Sequence, residues 1–304
     1  MDTVQETTLG SSGLRISSLG LGTVTWGRGT DAAEALGVLK AFADAGGTLL
    51  DLSPQALPMA GELLAKFPRG QFVLSVTSGV DLLAPLGRRV DCSRRALYLS
   101  LDEALNLLGV EAIDLWNVGH WDAHTPPSEV SSAIEAMQFQ GKVRYGCLRG
   151  YTGWQLAVTS SPAIAAATSA YNLLERAPET ELIPAAEHLG VGFIAGAPLG
   201  QGVLSGKYRA GGYPVGSRGA QPTDYADIHG LINGSDAVVE ALRTAAVGLG
   251  ISMATAAMAW ARTRPGVAAV MATPRTVQQC AELIASQEVA FPRAIAHALD
   301  DVTL

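Results

Sequence analysis

Four polar side chains stand where short apolar runs of this 304-residue sequence end, and their types suit acid–base and anion chemistry. Asp51 closes Thr48-Leu-Leu-Asp51, Ser78 follows Phe72–Thr77, His120 lies just beyond Ile113–Val118, and Arg149 follows Val143–Leu148. A carboxylate set among apolar residues can give or take a proton. A guanidinium pairs with a carboxylate or grips an anionic substrate group. An imidazole changes charge near neutrality, and a serine hydroxyl can donate a hydrogen bond to substrate. Trp26, Trp116, Trp121, Tyr171 and Asn172 fall at similar positions and are candidate walls of an apolar substrate pocket. Plainer readings stand beside these. Arg149 is also compatible with a solvated surface charge, and Trp116 and Tyr171 with core packing. His120 would face outward in a regular strand, where neighbours alternate, unless a bulge at Gly119 re-aims it.

These residues need elements to position them. Eight strand-like runs alternate with helix-length stretches: Ser18–Thr23, Thr48–Asp51, Phe72–Thr77, Ile113–Val118, Val143–Leu148, Ala166–Tyr171, Val191–Ala195 and Val267–Met271. Helices are predicted over Asp31–Ala45, Ser93–Leu108, Ser128–Gln140 and Ser252–Arg264, with Ser93 and Ser128 as N-caps. Eight strand–helix units predict an α/β chain folded as a closed (β/α)8 TIM barrel, a single domain over residues 1–304. The alternative is an open doubly wound sheet. Gly20-Leu-Gly22 lacks the third glycine and the helix start that such a sheet would want. In a barrel, chemistry sits where strands end and the following loops begin, which is where the four polar residues lie. Residues 210–234 are rich in Gly and Pro and are predicted to form a mobile loop.

The formal net charge is −7, and the basic residues form no cluster, which argues against a nucleic-acid partner. No apolar run approaches the ~20 residues of a membrane span. The N-terminal residues include Asp2 and Glu6 and lack a basic-then-apolar signal, so a cytoplasmic location is expected. Cys92, Cys147 and Cys280 are odd in number and far apart, and His124, His188, His229 and His297 show no ligand spacing. No disulfide framework and no metal site are expected. The expected partner is a small-molecule substrate, bound by a monomer or homodimer.

Several segments, taken in order from about Leu9 to Ala290, resemble the aldo-keto reductase family. They are Leu9–Thr23 with Trp26-Gly27, Asp51 with Glu62, Ile113-Asp-Leu-Trp116 leading to Asp122 and Thr125-Pro126, and Gly141–Tyr145. Tyr171–Leu174 with Arg176, Pro198–Tyr208, Ala257–Trp260 and Arg275-Thr276 complete the pattern. The resemblance implies a (β/α)8 barrel that binds NADP(H) across its mouth and transfers hydride to a carbonyl. It implies a Tyr as acid, a Lys–Asp pair that tunes it, and a His that orients the carbonyl. Asp51 matches the family's Asp. Ala56 stands at the Tyr position, Ser78 at the Lys position and Gly119 at the His position, with His120 one residue beyond.

The nicotinamide end departs as well. The amide-clamping and ring-stacking positions are Arg149-Gly150, Thr168 and Gly196 here. The phosphate end is better kept, in Leu199, Gly200, Gln201, Arg275, Gln279 and Glu282. Cofactor use is therefore read as none, or as NADP(H) at a weakened site. A buried carboxylate with no counter-charge holds its proton more tightly. Asp51 would then act as acid or base itself, or acquire a new cation, for which Arg149 is the candidate. Ser78 would donate to substrate or simply fill the lysine gap. The sequence thus predicts a reductase-like barrel doing non-redox cyclisation, dehydration or isomerisation with Asp51, Arg149, Ser78 and His120. Two alternatives remain: an NADP(H)-dependent oxidoreductase with a rebuilt site, and a non-catalytic binding protein.

Overall fold

The structure is a computed structural model that describes residues 4–80, 89–208, 212–220 and 228–303. A short antiparallel hairpin comes first, β1 (Glu6–Thr8) with β2 (Arg15–Ser17). The eight predicted runs then form β3 (Leu19–Gly22), β4 (Leu49–Leu52), β5 (Val73–Ser78), β6 (Ile113–Val118), β7 (Val143–Arg149), β8 (Ile164–Ala170), β9 (Gly192–Gly196) and β10 (Val267–Ala272). They close as a parallel barrel in the order β10-β3-β4-β5-β6-β7-β8-β9. The helices are α1 (Ala32–Asp44), α2 (Leu57–Leu64), α3 (Arg94–Leu108), α4 (Pro127–Phe139), α5 (Gly153–Thr159) and α6 (Leu182–Leu189). They continue with α7 (Ile228–Asn233), α8 (Asp236–Leu249), α9 (Met253–Arg262), α10 (Val277–Ala285) and α11 (Arg293–Thr303). No single helix among the described residues is long and apolar enough to cross a membrane.

Polar caps start several helices. Asp31 accepts from the Ala33 and Glu34 amides, Ser93 from Ala96, and Ser252 from Thr255. The cap expected at Ser128 is corrected: α4 begins at Pro127, whose missing N–H suits a first helical turn. The described part of the 210–234 stretch holds a 3-10 turn (Arg218–Ala220) and all of α7. The rest of that expectation, residues 210, 211 and 221–227, lies outside the described residues.

The barrel interior explains where the site must be. Leu49, Leu115, Cys147, Ala166, Ile194 and Met271 pack inside the barrel, with Leu9 and Ile16 of the hairpin region. Side chains two residues further along a strand point the same way. From Leu49, Leu115, Cys147, Ala166 and Ile194 this gives Asp51, Asn117, Arg149, Thr168 and Gly196. Ser75 pairs directly with Asp51 across β4–β5. An apolar floor is therefore followed by a polar layer toward the mouth.

A second polar network holds the C-terminal helix. Arg176 bonds both carboxylate oxygens of Glu179 (3.0 and 2.8 Å) and Thr303 Oγ1 (2.7 Å). Asp300 on α11 pairs with Arg264 at 2.9 Å and Arg176 at 3.5 Å, and accepts from Trp260 Nε1. Tyr171 donates to Glu179 at 2.6 Å. Asp300→Ala would leave two largely buried guanidiniums short of a partner. It is expected to destabilise the fold by about 2 kcal/mol or more in urea denaturation. A change below ~0.5 kcal/mol would show that the network does not hold α11.

Candidate active site

The polar layer converges on one oxygen. Asp51 Oδ1 accepts from Arg149 Nη2 at 2.6 Å, from Ser75 Oγ at 3.0 Å and from Asn117 Nδ2 at 3.4 Å. Asn117 Nδ2 also donates to Ser75 Oγ at 2.6 Å, which fixes the hydroxyl as a donor toward Asp51. The Asp51 side chain is 12% exposed and that of Arg149 28%, so the pair is shielded but reachable from the mouth. The uncompensated carboxylate considered from the sequence is therefore corrected. Arg149, from the end of β7, supplies the charge that a lysine at position 78 would have supplied from β5. Ser78 is buried and donates to the Asn117 carbonyl at 3.0 Å.

A cavity of about 1380 Å³ opens over this layer. Asp51, Ser78, His120 and Arg149 line its inner end. The strand alternation that pointed His120 outward stops at Val118, where β6 ends, and the next residues turn. Gly150 (φ 68°) sits beside the imidazole, and a Cβ there would lie 3.3 Å from Nδ1. Partial burial, and then the Arg149 charge, hold the His120 pKa below the ordinary imidazole value, although its surface toward the mouth is open. Position 119 admits no side chain in this backbone. A Cβ on Gly119 would lie 2.7 Å from the Ser78 carbonyl oxygen.

The expected tryptophan-walled pocket is corrected. Trp26 and Trp116 are fully buried, and neither lines the cavity. Trp121 packs edge-on against Tyr151 and Trp154. Tyr171 is buried against Phe193 and Trp260, and burial with Glu179 alongside keeps its phenol protonated far above the ordinary range. Asn172 spends its amide on Glu175 and the Ala197 carbonyl, and its oxygen on the Leu174 amide. Val24, Leu57, Val76 and Val80 supply the apolar lining instead.

The outer arm of the cavity is cationic. Leu199, Gln201, Arg275, Gln279 and Glu282 line it, joined by Lys207 and Arg218. Gly200 does not reach the cavity; at φ 51° it turns the chain beneath it. Ala197 and Gln201 also hold left-handed backbone, at φ 46° and 55°. Such strain gathers at ligand sites. The α10 N-terminus offers little to an anion, because side chains of Glu34 and Thr276 already accept from its Val277 and Gln279 amides. The cations lining this arm are Lys207, Arg218 and Arg275. Burial, followed by repulsion from Arg218 and Arg275, lowers the Lys207 pKa to about 8 even though its side chain opens onto the cavity. These donors fit the phosphates of a nucleotide such as NADP(H). At the inner end Arg149, Gly150, Thr168 and Gly196 provide no carboxamide clamp, so the fit stops short of the nicotinamide.

Ser75 and Arg218 were not among the residues singled out from the sequence. A polar residue at even spacing from an inward apolar neighbour was the available signal for Ser75. None was available for Arg218.

The sequence profile of the aldo/keto reductase family matches residues 18–303. An uncharacterized oxidoreductase, YrpG, of Bacillus subtilis is 28% identical, with 98% of this chain and 96% of that protein covered. A probable voltage-gated potassium channel subunit beta of Oryza sativa is 28% identical, covering 94% and 92%. L-glyceraldehyde 3-phosphate reductase of Escherichia coli is 31% identical, covering 69% and 65%.

The geometry at position 119 gives a direct test. Gly119→His is expected to destabilise by ~1–3 kcal/mol in urea denaturation, because the Ser78 backbone must move. An unchanged midpoint would contradict this close approach.

Proposed function

Because the chain belongs to the aldo/keto reductase family, we propose that it is a barrel enzyme whose mouth performs acid–base chemistry in place of the usual proton-assisted hydride transfer. The observation that carries this reading is the Arg149 guanidinium on Asp51 at 2.6 Å, with Ala56 and Gly119 where an acid and an imidazole are expected. Asp51, with Ser75 and Asn117, positions Arg149. Arg149 then faces negative charge that develops on a substrate oxygen, the role in which a preorganised cation is most effective. His120, held neutral to lower pH than usual, takes or returns the proton. Proton abstraction beside a carbonyl, followed by isomerisation, elimination of water or ring closure, needs no more than these groups. The outer arm would hold a phosphate-bearing part of the ligand.

A second reading is an NADP(H)-dependent oxidoreductase with a rebuilt site. The cationic outer arm and the oxidoreductase names of two relatives favour it. Titration of NADPH by fluorescence, followed by assay for carbonyl-dependent NADPH oxidation, separates the two. Acid–base chemistry predicts no oxidation coupled to turnover. Stoichiometric oxidation would overturn it.

The mechanism also fixes a pH dependence. Once a substrate is in hand, His120→Ala is expected to lower kcat/KM by ~10²–10⁴-fold, and Asp51→Ala and Arg149→Ala to lower it too. The wild-type profile should fall on the acid side with a midpoint below 6.5, since His120 loses its function on protonation and its pKa is lowered. Turnover unaffected by all three substitutions, or an acid limb above 6.5, would exclude the assignment.

A further inference from the structure

We propose that the end of the barrel opposite the mouth holds a second ligand site, which takes an aromatic carboxylate between Arg15 and Arg144. The inference is independent of the chemistry at the mouth. A cavity of about 720 Å³ lies where the hairpin meets the first residues of β6 and β7. Arg15 opens β2, Asp114 is the second residue of β6, and Val143, Arg144 and Tyr145 open β7. All five line the cavity, with Leu14 from the hairpin turn. Asp51 and Arg149 stand at the other ends of their strands, and no residue lines both cavities. Leu14 and Tyr145 pack against the interior cluster that includes Leu49 and Leu115, so the apolar wall of this site continues the barrel floor.

The polar groups set the ligand's charge. Asp114 accepts from the Leu74 amide at 2.9 Å through one oxygen and pairs with Arg144 Nε at 3.1 Å through the other. Arg144 is thus braced from behind, and its two Nη groups have no partner among the described residues. That end of the guanidinium is the planar fork that receives a carboxylate through two parallel bonds. Arg15 pairs only with Glu6, at 3.3 Å and with both side chains largely exposed. Such a pair holds weakly, so Arg15 can turn to a ligand. Two guanidiniums and one carboxylate are the charged groups that line the cavity, which leaves one positive charge in excess on a chain of net charge −7. One excess positive charge suits a monoanion. Leu14, Val143 and the Tyr145 ring supply an apolar wall, against which a flat ring buries its faces. A carboxylate carried on an aromatic ring meets both requirements at once.

2-Naphthoate is the probe, with 2-naphthamide as the uncharged control and acetate as the control without a ring. Each is titrated into the full chain by calorimetry near neutral pH. The expected result is saturable binding of 2-naphthoate, with either control weaker by about tenfold or more. Because the ligand touches both the hairpin and the barrel strands, it should also raise the midpoint of thermal unfolding. Arg144→Gln and Arg15→Gln, at exposed side chains, should each weaken binding, Arg144→Gln by about tenfold, with an unchanged circular dichroism spectrum. Arg275→Gln, at the mouth, should leave the affinity as it was. No saturable binding would overturn the proposal. So would equal binding of 2-naphthamide, which would remove the ionic grip. Binding that survives Arg144→Gln and Arg15→Gln but is lost in Arg275→Gln would place the probe at the mouth and overturn it as well.

Discussion

A carboxylate inside a barrel is the constraint to which the rest of the mouth answers. Asp51 sits directly beyond the apolar floor, where an unpaired charge is costly. Three donors on one oxygen resolve that cost, and the one that carries charge is Arg149. Drawing the cation from β7 rather than β5 has consequences across the mouth. Ser78 can remain small and bond the β6 backbone. Gly150, at φ 68°, brings the backbone close to the His120 ring, where a Cβ would make a tight contact of 3.3 Å with Nδ1. The inner cavity then presents a guanidinium and a neutral imidazole where the family pattern has a phenol and an ammonium.

The two ends of the cavity have changed unequally. At the outer arm, left-handed backbone at Ala197 and Gln201 stands with the cations Lys207, Arg218 and Arg275 along the cavity wall. At the inner end the groups that would clamp a carboxamide are replaced. A ligand anchored by phosphate at one end and acted on by Arg149 and His120 at the other suits both halves.

The fold was legible because strand period and helix caps are local. All eight runs became barrel strands, and Asp31, Ser93 and Ser252 start helices through their own side chains. The replacement cation was legible as one of two readings of Arg149. The substrate walls were not. Trp26, Trp116 and Tyr171 lie near strand ends in sequence, but large aromatic rings there fill the space between barrel and helices. His120 stood between two readings because the alternation rule ends with the last strand residue, Val118. The Arg218–Lys207 grouping joins segments that no local pattern connects, so only the folded chain brings it together.

The central claim is that Arg149 has become the structural and electrostatic partner of Asp51. A double-mutant cycle in urea denaturation, with Asp51→Asn, Arg149→Gln and both together, tests it directly. The account predicts a favourable coupling above ~1 kcal/mol, with the double variant more stable than Arg149→Gln alone, because the lone carboxylate is the costly species. Additive effects, with the double variant as unstable as the two losses summed, would contradict it.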